Sequence, residues 1–164
     1  SKNNLNFKYM PTKIIEITID KPEELYSIPY HNSGFNHQEA DAYTKIDYNG
    51  CGEVDVNHEN FFVDVYPGDT IQWRIFTTDS DYKVWIKDIN FTGTGEMGPF
   101  GLNGHGTLSS GYDGEVRFME GIVKDNNSIL DYKYDILFYI ENAKAEIKQK
   151  MFKVDPKLCI KSTN

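Results

Sequence analysis

Residues 61–76, FFVDVYPGDTIQWRIF, alternate in character on both sides of Pro67-Gly68-Asp69. Phe61, Val63 and Val65 share one phase before the break, and Ile71, Trp73 and Ile75 share one after it, opposed by Gln72 and Arg74. A period of two is the mark of a half-buried strand. Pro67 fixes φ, Gly68 tolerates a positive φ and Asp69 bonds backbone groups just ahead of it, so the stretch predicts two strands meeting at a turn.

The same period predicts the other elements. Residues 13–20 form a first strand with Ile15, Ile17 and Ile19 on one face. A short strand over 42–48 ends at Asn49-Gly50, and 53–56 lead toward the central pair. Residues 79–91 predict a third consecutive strand in the same sheet system, with Val84 and Ile86 facing opposite to Trp85 and Lys87. Another strand covers 115–124. The cleanest after the central pair covers 131–141, where Tyr132, Tyr134, Ile136, Phe138 and Ile140 share a face. A hairpin loop over 142–148 returns the chain through 149–154; Pro156 halts that strand, and Leu158 and Ile160 make a last edge segment.

Two stretches carry no period. Residues 21–42 predict an irregular excursion, with one helical turn at Pro22-Glu23-Glu24-Leu25 and a turn at His31-Asn32-Ser33-Gly34. Residues 92–114 hold eight glycines and a proline. A connection this long inside a compact domain is usually functional, so this Gly-rich loop is the first place to seek a site. With residues 1–12 as an extended tail, the pattern predicts an all-β, single-domain β-sandwich of seven to nine mostly antiparallel strands over residues 1–164.

Composition agrees. Length 164 suits one core, and eleven Tyr, ten Phe and many Ile and Val suit pleated surfaces. The net charge of −8 is spread along the chain, which repels phosphate backbones and excludes nucleic acid as a partner. No apolar run approaches the ~20 residues of a membrane span, and the first residues lack a signal-peptide core. The cytoplasm is the first expectation for the compartment, with secretion the alternative if a leader was removed. Cys51 and Cys159 lie more than a hundred residues apart in no CxxC pair, and read more plainly as free thiols than as a disulfide.

The segment Tyr66-Pro67-Gly68-Asp69-Thr70-Ile71-Gln72-Trp73 resembles the Pro-Gly-Asp-x-[aliphatic]-x-[aromatic] segment of cupredoxin-like sandwiches. More narrowly, Gly68-Asp69-Thr70-Ile71-Gln72-Trp73-Arg74 and the late Phe152-Lys153-Val154-Asp155-Pro156-Lys157-Leu158 resemble the inclusion-body protein family, the AidA/PixA group. Those proteins likewise begin with an Ile-rich strand ending near an Asp, comparable with residues 14–20. The resemblance implies a cupredoxin-like fold and self-association. It does not imply copper: blue-copper centres need two His and a Cys thiolate, and residues 131–158 contain no His.

Other chemistry is weakly signalled. His31, His37 and Glu39 offer two imidazoles and a carboxylate to an atypical metalloenzyme, but their spacing matches no ligand motif, and solvated loop histidines are the plainer reading. Residues 47–55 alternate oxygen side chains with glycines, yet an EF-hand loop would place Cys51 and His58 at ligand positions. Gly93-Thr94-Gly95-Glu96-Met97-Gly98 satisfies GxGxxG, but Pro99 and further glycines replace the helix that motif needs. His105, Ser109, Ser110 and Asp113 share the loop without a nucleophile elbow.

The expectation is therefore a non-enzymatic interaction protein with no cofactor and no metal site, acting as a homo-oligomer through edge strands and loop aromatics. Phe100, Tyr112 and His105 are its candidate binding residues. The alternative is a carbohydrate or small-molecule binding module using the Gly-rich loop. Tyr26, Tyr30, Phe35 and Tyr43 fit either a binding role or the plainer one of covering an end of the core.

Overall fold

The computed structural model describes residues 12–29, 40–47, 49, 52–54, 61–65, 68–92, 97–98, 101–102, 108–114, 116–123, 131–146 and 149–162. In chain order these form β1 (Thr12–Ile19), α1 (Pro22–Ser27), a 3-10 turn (Asp41–Tyr43), β2 (Thr44–Asp47), β3 (Gly52–Val54), β4 (Phe61–Val65), β5 (Thr70–Thr77), β6 (Tyr82–Thr92), β7 (Met97–Gly98), β8 (Gly101–Leu102), β9 (Ser109–Asp113), β10 (Val116–Ile122), β11 (Asp131–Asn142) and β12 (Gln149–Ser162). One sheet runs β2-β1-β5-β10-β9, the other β3-β4-β12-β11-β6. Pairing is antiparallel except for β1 with β5 and β12 with β4. This is the expected all-β sandwich.

Alternation along the strands builds its core. Ile15, Ile17 and Ile19 of β1 and Ile71, Trp73 and Ile75 of β5 are buried from one sheet. Tyr134, Ile136, Phe138 and Ile140 of β11, with Phe152 and Val154 of β12, are buried from the other. Each such side chain contributes about 1.5–3 kcal/mol over its exposed state. Trp73 joins the two layers: its ring meets Tyr134 edge-on at 5.7 Å, and its Nε1–H donates to the Tyr134 hydroxyl at 3.1 Å. Two buried polar groups thus satisfy one another between apolar sheets.

The central stretch folds differently from a simple pair. β4 lies in one sheet and β5 in the other, and β6 returns to the first. The turn between β4 and β5 is a crossover between layers, so β4, β5 and β6 are not consecutive strands of one sheet. Gly68 adopts φ 93°, where a side chain would be strained. Its N–H donates to the Val123 carbonyl at 2.8 Å, and the Val123 N–H donates to the Asp69 carbonyl at 2.8 Å. The Asp69 carboxylate, 2% exposed, meets Lys13 Nζ at 3.3 Å. Backbone and charge together hold the crossover to β1 and to the end of β10.

Four further details differ from the sequence reading. Pro156 does not stop the last strand: β12 continues to Ser162, and 158–162 lie between β4 and β11, not at an edge. The pairing steps from Ile136 with Val154 to Tyr134 with Leu158, so residues 155–157 face a single partner and a bulge absorbs the proline's missing N–H. In β6, Phe138 pairs with Ile86 and Leu137 with Asp88, leaving Lys87 as an extra residue. The alternation changes phase there, and Ile89 enters the core. Within residues 92–114, the described parts form the small β7–β8 ladder and the edge strand β9. Thr12, expected in the tail, opens β1 opposite Thr70; residues 1–11 lie outside the described residues.

Because Asp69 is buried against a lysine, deleting it removes the ion pair that ties β1 to the crossover. Asp69→Ala should lower unfolding stability by about 3 kcal/mol or more in urea titration. A loss below about 1 kcal/mol, the ordinary worth of an exposed ion pair, would show that the buried pair does not hold the crossover.

Candidate interaction surface

Of the residues proposed from sequence, Tyr112 is described and is 70% exposed. Its position follows from the β9–β10 hairpin, which turns at Gly114 with φ 61°. Tyr112 pairs with Arg117, and Arg117 pairs with the core residue Ile75. Paired residues share a face, so Tyr112 and Arg117 lie on the inward side of their sheet. They are not covered as core residues are, because β6 ends the opposing sheet over β5 and β10. β9 extends beyond it as a ledge.

Trp85 of β6 pairs with Tyr139 of β11, on the outer side of the other sheet. Yet the Arg117 guanidinium stands 4.7 Å from the Trp85 ring centroid and 5.5 Å from that of Tyr112. A contact between the inward side of one sheet and the outer side of the other passes round the outward edge of β6. The strip continues: Trp85 and Tyr139 pack at 5.1 Å with planes tilted by 39°, and Lys87 Nζ stands 5.7 Å from the Tyr139 ring. Each cation–ring contact is worth about 0.5–1 kcal/mol at an exposed site, and the ring pair about the same. The result is a ladder of rings and cations from the β9 ledge onto the outer face of β6 and β11.

Phe100 and His105 lie outside the described residues, as do His31, His37, Glu39, Tyr30, Phe35 and Cys51. Ser109 and Ser110 are exposed on β9. Tyr26 and Tyr43 are partly buried against the core, in the plainer of their two roles. Asp47 accepts the Asn49 N–H at 2.8 Å, and Asn49, at φ 50°, donates from Nδ2 to the Ile14 carbonyl at 3.1 Å. These two residues of the candidate Ca²⁺ loop therefore serve a turn. Trp85, Tyr139 and Arg117 were not singled out as site residues in the sequence. Their signal is an aromatic on the polar phase of a strand, Trp85 opposite Val84 and beside Lys87.

A second locus lies where α1 meets the sandwich. Pro22 opens the helix, Leu25 is buried, and Lys150 reaches the helix C-terminus, where Nζ donates to the carbonyls of Tyr26 and, at 3.0 Å, Ile28. The ammonium also stands 4.6 Å from the Tyr26 ring. Carbonyls at a helix end favour a cation. Burial lowers the Lys150 pKa. Burial, and then the Glu141 charge, raise that of Tyr26; burial, then Glu23, Asp79, Asp81 and Tyr26, raise that of Tyr82. With its protons bonded to the chain's own carbonyls, Lys150 docks the helix. Beside α1, Asp20, Lys21, Pro22, Glu23, Glu24, Thr78 and Asp79 line a shallow open cleft of about 290 Å³. Among the described residues no three His, Cys, Asp or Glu are placed to hold a metal ion, and no helix is long and apolar enough to cross a membrane.

No protein-family model matches the chain, and no curated protein matches it in sequence. Among solved structures, its fold is similar to that of the inclusion body protein PixA from Burkholderia cenocepacia J2315. The TM-score is 0.64 at 11% identity, over 98% of this chain and 99% of that one. At that identity the similarity is one of fold.

The Lys150 contact has a pH signature. Its pKa is lowered in the folded state, so between that value and the ordinary 10.5 the unfolded chain binds more protons, and this group's contribution to stability rises with pH. Tyr26 and Tyr82, raised above 10.0, retain protons in the folded state and act in the opposite sense from about pH 10. Wild type should therefore gain stability relative to Lys150→Met as pH rises from neutral toward 10.5. A difference independent of pH, measured by urea unfolding across that window, would contradict the burial of a charged Lys150.

Proposed function

We propose that this chain is a non-enzymatic β-sandwich protein of cupredoxin-like type, without a copper site, that works by associating with copies of itself. The observation that carries the reading is the ladder from Tyr112 through Arg117 and Trp85 to Tyr139. It places one 70% exposed aromatic and two half-buried ones in a continuous strip. Tyr, Trp and Arg are the side chains that most often anchor protein interfaces; Tyr and Trp bury a large area at low entropic cost, and Arg adds stacking and charge. The fold similarity to an inclusion body protein supports the same reading. A sugar ring stacked on Tyr112 is the competing occupant, favoured by its open face.

The test is light scattering over a hundredfold range of concentration. Self-association predicts a mass that grows with concentration, and Tyr112→Ala, alone or with Phe100→Ala, should raise the dissociation constant about 5-fold or more. The thermal midpoint should stay nearly unchanged, since Tyr112 buries little in the monomer. A wild-type monomer throughout the range would overturn the proposal. Glycan binding lost in Tyr112→Ala would then establish the ring-stacking alternative.

A further inference from the structure

Building on the self-association reading, we infer that two copies meet face to face through the outer side of the β6-β11-β12 sheet, and not by adding strand to strand at an edge.

The edges are poorly suited to strand addition. β2 and β3 span only four and three residues, and β9 five. β6 is longer, eleven residues, and pairs only with β11 among the described residues. It carries three protections against pairing. Lys83 and Lys87 are exposed on it, a bulge at Lys87 breaks its register, and the Arg117–Trp85 contact passes round its outward edge. An antiparallel copy of β6 centred on Trp85 would also set Lys83 against Lys87 of the other chain.

The face has the opposite properties. Trp85, Tyr139 and Met151 align in register across β6, β11 and β12, and Leu137 follows in the next outward position of β11. All four are half-buried on a side with no second layer among the described residues. Charged residues bracket this apolar row. Lys83 and Glu141 pair on one side of it, and Asp88, Lys87 and Lys153 lie on the other. An apolar centre with a charged rim is the usual anatomy of an interface.

Charge selects the occupant. The chain carries −8, so two copies repel over most of their surfaces. Among the described side chains of this face Lys83, Lys87 and Lys153 match Glu141, Asp88 and Asp135 in number, and Arg117 adds a positive charge at the margin. Two copies can approach here without the general repulsion. A two-fold axis through the Tyr139 row sets Lys83 and Glu141 of one copy over Lys87, Asp88 and Lys153 of the other, so that both signs of charge meet both signs. The other sheet offers less: across its outer side Gln72 donates to Glu120 at 2.9 Å and Arg74 to Gln72 at 2.5 Å, a network closed within one chain.

Tyr139→Glu in the full chain should raise the dissociation constant of the wild-type assembly about 30-fold or more. A second probe does not depend on that variant's stability. Sheets packed face to face lie about 10 Å apart, too far for a disulfide but within reach of a short bis-maleimide. In a Cys51→Ser, Cys159→Ser background, Tyr139→Cys should cross-link into dimers, and Thr18→Cys, on the outer side of the other sheet, should not. An assembly that persists with no cross-link at Tyr139→Cys, or with equal cross-linking at Thr18→Cys, overturns the face-to-face arrangement and leaves self-association standing. A wild-type protein that stays monomeric overturns both.

Discussion

The fold depends on one crossover. At Gly68 and Asp69 the chain leaves one sheet for the other, and the position is held by two backbone hydrogen bonds to Val123 and by the buried Asp69–Lys13 pair. This fixes β5 between β1 and β10, which in turn puts Trp73 over Tyr134. β5 enters this sheet running parallel to β1, with Thr12 opposite Thr70 and Ile19 opposite Thr77. A buried ion pair is weak support for stability as such, since desolvation offsets most of its attraction. Here its role is positional: it ties β1, through Lys13, to the turn at Asp69.

Much of this was legible in the chain, and the limits are physical. Period-two alternation located β1, β5, β10 and β11, and along β1 and β11 burial follows the same period. Gly68 announced its turn through the backbone conformation that only glycine adopts easily. What alternation does not encode is the partner. A strand ending at Gly68 and another starting at Thr70 read alike whether the turn closes a hairpin or crosses between layers, because the deciding bonds come from Val123, fifty residues later. Pro156 misled for a related reason: the missing N–H forbids a regular ladder, but a bulge in β12 itself, with residues 155–157 facing a single residue of β11, removes the need for that bond.

Of the proposed surface, only Tyr112 is a candidate from the sequence, and its role there is a proposal. Arg117 read as one polar position of an alternating strand, and its inward phase, shared with Ile75, gave no hint that it would reach a ring on the opposite sheet. The contact exists because the two layers are offset, with β9 projecting past β6, and offset between layers is a property of the packed sandwich. Trp85 carried a local signal, an aromatic on the polar phase, but such residues occur singly on many surfaces. The partner ring of Tyr139 and the two flanking cations turn a scattered residue into a continuous surface.

For the self-association proposed above, the same offset separates the edge of β6 from its outer face. A sheet that ended flush would leave the eleven residues of β6 as an open template, and strand addition has no natural stopping point. Arg117, held between the rings of Trp85 and Tyr112, covers that edge with a charge that is costly to desolvate, while the rings it engages remain half-exposed on either side. Exposed apolar area is thereby moved from an edge, where contact would be indefinite and backbone-driven, to a face, where side-chain shape and charge decide the partner. The acidic residues around α1 complete the separation. Asp20, Glu23, Glu24 and Asp79 outnumber Lys21 and Lys45 at that end, which in the proposed assembly disfavours contact between copies there.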